Sequence, residues 1–154
     1  MDHEKLLKRY NVLNFEKDLI HYNKFDHVIW FDGGTTCNIP SKGLGFGYGS
    51  YKIGDNEIIR LKFEEGHSNN SAELKTLLHA FRAVNEKDHD PWKTCLVIGD
   101  STIALKWINW RGPIKTGIEL FKEQIKLLKL ETHFFGEIIP CWWPRNNSVK
   151  MFGH

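Results

Sequence analysis

The order of apolar runs predicts an α/β domain, a mixed sheet flanked by helices. Three observations carry this. The first half holds three strand-like runs separated by turn residues, and the second half alternates helical and strand patterns. Two of the short apolar runs, VIWFD and LVIGD, also end on an aspartate, Asp32 and Asp100. A length of 154 residues suits one domain with one core.

The elements follow in order. In residues 1–26, Leu6, Leu7, Tyr10 and Leu13 recur at helical spacing among charges of both signs, so an N-terminal helical extension is expected there, ahead of a main domain over 27–154. Residues 28 to 32 read as a short buried strand. Residues 44 to 52 alternate, with Leu44, Phe46 and Tyr48 on one face and Gly43, Gly45, Gly47 and Gly49 on the other. Glycines on one face of a strand imply a close neighbour, a backbone or a helix. Gly54-Asp55-Asn56 makes a turn, and Ile59, Leu61 and Phe63 then alternate with Arg60, Lys62 and Glu64. These three strands predict an antiparallel meander.

A helix follows. Any of Ser68, Asn69, Asn70 and Ser71 can cap it, and Leu74, Leu77, Leu78 and Phe81 lie on one buried face. CLVIGD is the fourth strand, with a helix from Ser101. Gly112-Pro113 breaks the chain, and residues 117 to 130 predict an amphipathic helix. THFFGEIIPCWW reads as the last strand. Helix–strand alternation here argues for parallel pairing.

Composition narrows the function classes. Hydrophobic residues make up 41% and charged residues 26%, as in soluble domains. No apolar run approaches 18 residues and no signal segment is visible, so a cytoplasmic protein without membrane contact is expected. Cys37, Cys95 and Cys141 are far apart and form no metal-binding pattern, so reduced thiols are expected. From Ser101 to His154 eight Lys/Arg stand against four acids, a balance that suits a polyanion or a solvated helix face equally.

The candidate site rests on three carboxylates. Functional groups of open α/β sheets gather at the C-terminal ends of strands. With the first and fourth strands adjacent, Asp32 and Asp100 come side by side, and Glu73 reaches in from the first turn of the following helix. Each alone reads as a turn residue or a cap. Together they repel, and a divalent cation relieves that repulsion; an all-oxygen set suits Mg²⁺.

FDGGTT after a strand, SNNSAEL at a helix start and IGDSTIALKWI at a strand–helix junction, in that order, resemble type 1 ribonuclease H over residues 27 to 150. The resemblance implies a ribonuclease H-like fold: a five-stranded mixed sheet whose first three strands form the meander and whose last two run parallel to the first. It implies cleavage of the RNA strand of RNA–DNA hybrids with two Mg²⁺ ions, Mn²⁺ being an alternative. Asp32, Glu73 and Asp100 match the family's metal-binding acids. Asn69 and Asn70 match its minor-groove contacts. Gly33, Gly34 and Thr35 match the loop beside the scissile strand, and Ser101 a residue near the DNA strand. A monomer acting on the hybrid is expected.

Two departures stand out. The family's fourth acid falls near Met151, and no carboxylate is there, so the C-terminal helix is expected to be truncated or missing. Either His154 bends back as a ligand or proton shuttle, or it is a free terminal residue while three acids suffice; loss of catalysis is the third possibility. The basic protrusion some members carry is also absent between Asn109 and Gly117, which leaves Arg111 and Lys115. The N-terminal extension, or Lys122, Lys126 and Lys129 on one helix face, could replace its grip. The rival readings are another nuclease or strand-transferase of the same fold, and an inactive nucleic-acid-binding module.

Overall fold

The computed structural model describes residues 2–114 and 119–154. Lys115 and Gly117, the second basic residue of the shortened segment and the expected helix start, lie outside the described residues.

The strands, in chain order, are β1 (Leu13–Asn14), β2 (His27–Thr35), β3 (Gly45–Ile53), β4 (Ile59–His67), β5 (Thr94–Gly99) and β6 (Glu137–Trp142). The helices are α1 (His3–Arg9), α2 (Asn69–Lys87), α3 (Thr102–Asn109), α4 (Glu119–Thr132) and α5 (Arg145–Phe152). The sheet has six strands in the order β1-β6-β5-β2-β3-β4. The meander β2-β3-β4 is antiparallel, and β5 and β6 run parallel to β2. The fold class is therefore the expected α/β mixed sheet, with one strand more than five.

That extra strand is β1, whose two residues pair in parallel with Cys141 and Trp142 at the end of β6. It covers part of an edge whose backbone groups would otherwise stay unpaired. A two-residue ladder is too short to leave a periodicity in sequence. Ahead of it, α1 is capped by Asp2, whose side chain accepts from the Lys5 amide. Leu7 and Val12 are buried in the core with Ile29, Phe31, Leu74 and Val97.

α2 packs across β2 and β3, and glycine makes this possible. A Cβ on Gly33 would lie 3.0 Å from the Ala72 carbonyl and from Glu73 Cα, so a side chain there would require the helix to give by a few tenths of an ångström. Ser68 caps α2 by accepting from the Ser71 amide, and the Ser71 hydroxyl accepts in return from the Ser68 amide. Buried His67 holds Ser71 from behind, with Nδ1 and Oγ 3.0 Å apart.

Three expectations need correction. Gly33, Gly34 and Thr35 are not a loop: they continue β2 and pair with Gly49, Tyr48 and Gly47. The ladder persists because β3 is as long as β2, and Gly34 leaves room for the Tyr48 ring opposite it. The C-terminal helix is not missing: it is present as α5, eight residues long. Lys129 does not share a solvated face with Lys122 and Lys126. Its ammonium donates to the Trp107 and Trp110 carbonyls at the C-terminus of α3, where the helix dipole favours a cation. Burial pushes its pKa down to about 8. No described helix is long and apolar enough to cross a membrane.

Candidate active site

β2 and β5 lie side by side, so their C-terminal ends bring Asp32 and Asp100 together. Glu73 comes from α2, one turn in rather than in the first turn, and reaches the same point because Gly33 lets the helix close on the sheet. One ligand atom from each of Asp32, Glu73 and Asp100 lies within 4.8 Å of the other two. Asp32 and Glu73 are buried and Asp100 is half-buried.

The electrostatics are those of a site short of positive charge. Burial, then the Asp100 charge, pushes Asp32 up to about 7. Glu73 is raised well above the carboxylate range by burial, then by Asp100 and Asp32. Asp100 is also raised by burial, against the pull of the Ser148 hydroxyl and of Arg145. Glu73 Oε2 is buried with no hydrogen-bond partner among the described residues. Such an orphaned acceptor is costly unless something fills the space beside it.

The acids line a cleft of about 80 Å³ together with Gly33, Gly34, Tyr48, Asn69, Arg145 and His154. Asn69 Oδ1 accepts from the Thr35 amide at 3.1 Å, tying the end of β2 to the start of α2. Asn70 follows it in the first turn of α2, outside the cleft lining. Ser101 is the N-cap of α3, accepting from the Ala104 amide, and its hydroxyl also steadies Glu73.

His154 is in the site. Gly153 ends α5 at φ 82°, a left-handed turn that its amide closes on the Val149 carbonyl. The reversal carries the imidazole back over the sheet, where Nδ1 stands 3.0 Å from Asp32 Oδ2 and Nε2 2.9 Å from Ser50 Oγ. Burial, then Arg60, lowers its pKa. Met151 belongs to a small cluster with Val28 and Leu96.

Sequence reasoning passed over Tyr48, Ser50 and Arg60 as site residues. The signal was weak, because only strand register shows that they face the acids. Arg145, from the PRNN segment, was legible as part of a motif but not as the cation nearest the three carboxylates.

No protein-family profile matches the chain. No curated protein sequence matches it. Solved structures do. Ribonuclease H1 of Halobacterium salinarum superposes with a TM-score of 0.60 at 20% identity, over 79% of this chain and 87% of that one. The N-terminal ribonuclease H domain of a Mycobacterium tuberculosis protein gives 0.65 at 17%, over 80% and 86%. The chain has a ribonuclease H-like fold. A ribonuclease H1 isolated from compost, LC11-RNase H1, solved in complex with an RNA/DNA hybrid, gives 0.59 at 19%, over 81% and 90%. At these identities the likeness is one of fold.

Proposed function

We propose that this protein is a divalent-metal-dependent endonuclease that hydrolyses the RNA strand of RNA–DNA hybrids by a two-metal-ion mechanism. The observation that carries the reading is the cluster Asp32–Glu73–Asp100: largely buried, mutually repelling and only partly offset by Arg145. The donor set fits the cation. It is all oxygen, and Glu73 Oε2 has no other partner. Asp32, Glu73 and Asp100 would hold Mg²⁺ or Mn²⁺, which supplies a Lewis acid for the phosphodiester and makes water a competent nucleophile near neutral pH.

The chain's own residues do the rest. Arg145 faces the acids and offers a guanidinium to a phosphate entering the cleft. The strand-end backbone at Gly33 and Gly34 lets the scissile strand come close. Asn69 and Asn70 offer small polar side chains to the wide minor groove of an A-like duplex, where the 2′-hydroxyl marks RNA. Ser101, at the start of α3, would face the DNA strand. The hybrid-bound LC11 enzyme supports this substrate class by its shared fold.

A second reading, a module that binds hybrids without cutting them, draws on α5, which carries no acidic residue. The deciding experiment is cleavage of a labelled hybrid in Mg²⁺ and in Mn²⁺, with single-stranded RNA, RNA duplex and DNA duplex as controls. Hybrid-only cleavage that disappears in Asp32→Asn supports the proposal. Binding without cleavage in either metal transfers the protein to the second reading, and cutting of DNA duplex points to another nuclease of this fold.

A further inference from the structure

Asp32, Ser50 and Arg60 form one row across three strands. Asp32 pairs with Ser50 between β2 and β3, and Ser50 pairs with Arg60 between β3 and β4. Residues opposite each other share a face, so all three side chains point the same way. His154 lies over this row. Arg60 donates to Ser50 Oγ at 3.2 Å and to the Phe152 carbonyl, at the end of α5, at 2.9 Å. Tyr48 meets the imidazole edge-on at 5.1 Å, and Phe152 stacks at 6.1 Å. The ring is held on every side.

We infer that Arg60 and Ser50 lock His154 as its Nδ1–H tautomer, so that the imidazole sets a proton, not a lone pair, beside Asp32 and is not itself a metal ligand. The argument is a count of donors. Ser50 is 1% exposed, and its hydroxyl has one proton and two lone pairs. Arg60 has no acceptor capacity, so it uses one lone pair. Among the described residues the only acceptor in reach of the Ser50 proton is His154 Nε2, at 2.9 Å. If Nε2 carried the proton, a buried hydroxyl would be left without an acceptor, and Nδ1 would turn a lone pair on the carboxylate 3.0 Å away. With the proton on Nδ1, the buried Ser50 hydroxyl has its acceptor and the N–H stands beside the carboxylate. Nε2 is then taken up by Ser50 and Nδ1 carries a proton, so neither nitrogen offers a lone pair to a cation.

The inference rests on the proposal that Asp32 holds a divalent ion, and it assigns the missing fourth acid a substitute of another kind. Instead of a further ligand, the chain supplies an N–H that stands beside an existing one. Partners of this sort orient metal ligands and tune affinity by roughly ten- to hundredfold.

The test starts with the metal-free protein. Long-range proton–nitrogen correlation spectra above pH 8 report the tautomer of each of the eight histidines, and His154→Asn assigns the ring in question. The expected result is an Nδ1–H ring whose nitrogen shifts stay in place when Mg²⁺ is added, and a switch toward Nε2–H in Ser50→Ala. An Nε2–H ring in the wild type, or a ring nitrogen that moves as a coordinated one does, overturns the inference. Calorimetry with Mn²⁺ gives an independent reading. His154→Asn, whose amide can donate to Asp32, should stay within about threefold of the wild type, while His154→Ala loses roughly tenfold. Loss in both, with recovery in His154→Asp, marks His154 as a ligand and overturns the inference. Because these readouts need no cleavage, an Nδ1–H ring in a protein that cuts nothing would keep the inference and discard the enzyme.

Discussion

The two ends of the β2–β5 pair treat charge in opposite ways. At the N-terminal end the charged groups are paired. Asp26 accepts from the Thr94 amide at 2.9 Å, and His27 Nε2 meets Asp88 Oδ2 at 2.6 Å. Lys93, 1% exposed, gives its ammonium to the Phe134 carbonyl at 2.5 Å and the Asp90 carbonyl at 3.3 Å, over the Phe135 ring. At the C-terminal end three carboxylates crowd together with one oxygen orphaned. The same sheet can satisfy its charges, and at one end it does not. That contrast marks the C-terminal end as the place where uncompensated charge is concentrated.

Exchange of a charge at each end should separate the two roles. Asp32→Asn should reduce hybrid cleavage on the order of a thousandfold or more, as members of a catalytic unit do, while raising the melting temperature of the metal-free protein above pH 7. A melting temperature that falls instead would place Asp32 among the structural charges. Lys93→Ala should do the reverse. Truncation strands two carbonyls around a new cavity, with an expected loss of about 2–4 kcal/mol in denaturant unfolding. The kcat on hybrid at 15 °C should stay unchanged. A large drop in kcat with intact stability would break the comparison.

A smaller effect is pH-dependent. The folded-state pKa of Asp32 is raised from 3.8 to about 7, so the unfolded chain releases this proton first. Stability of the metal-free protein should therefore be highest near pH 4, fall as pH rises through the window up to 7, and level off above it, with a loss of about 1–3 kcal/mol. Glu73 and Asp100, shifted in the same direction, deepen the fall. Mg²⁺ at pH 8 should restore what was lost, and Asp32→Asn should flatten the curve. Chemical denaturation at pH 5 and pH 8, with and without Mg²⁺, measures both. Equal midpoints at the two pH values would show that the carboxylates carry no strain.

Asp32 and Asp100 were readable in sequence because each sits where an apolar run meets a charge, and Glu73 because it stands near the start of the helix that follows the meander. The meander, α2 and the parallel second half were readable for a similar reason: their periods are long enough to register. What stayed hidden depends on relations between distant segments. β1 is two residues long and exists only because the end of β6 needs a cover. The Asp32–Ser50–Arg60 row is a product of register, which sequence periodicity leaves open by whole pairs of residues. Gly33 to Thr35 looked like loop because glycine and threonine are turn residues as readily as strand residues. The fate of His154 hung on one glycine, Gly153, adopting a left-handed turn.

Gly33 has one more consequence. With its Cβ position 3.0 Å from the Glu73 backbone, it works as a gauge that fixes how wide the carboxylate jaw can open. Mg²⁺ demands oxygens at about 2.0–2.1 Å, while Ca²⁺ accepts about 2.3–2.6 Å. If the three acids hold a metal as proposed, an alanine here, which asks α2 to give by a few tenths of an ångström, should weaken Mg²⁺ binding more than Ca²⁺ binding.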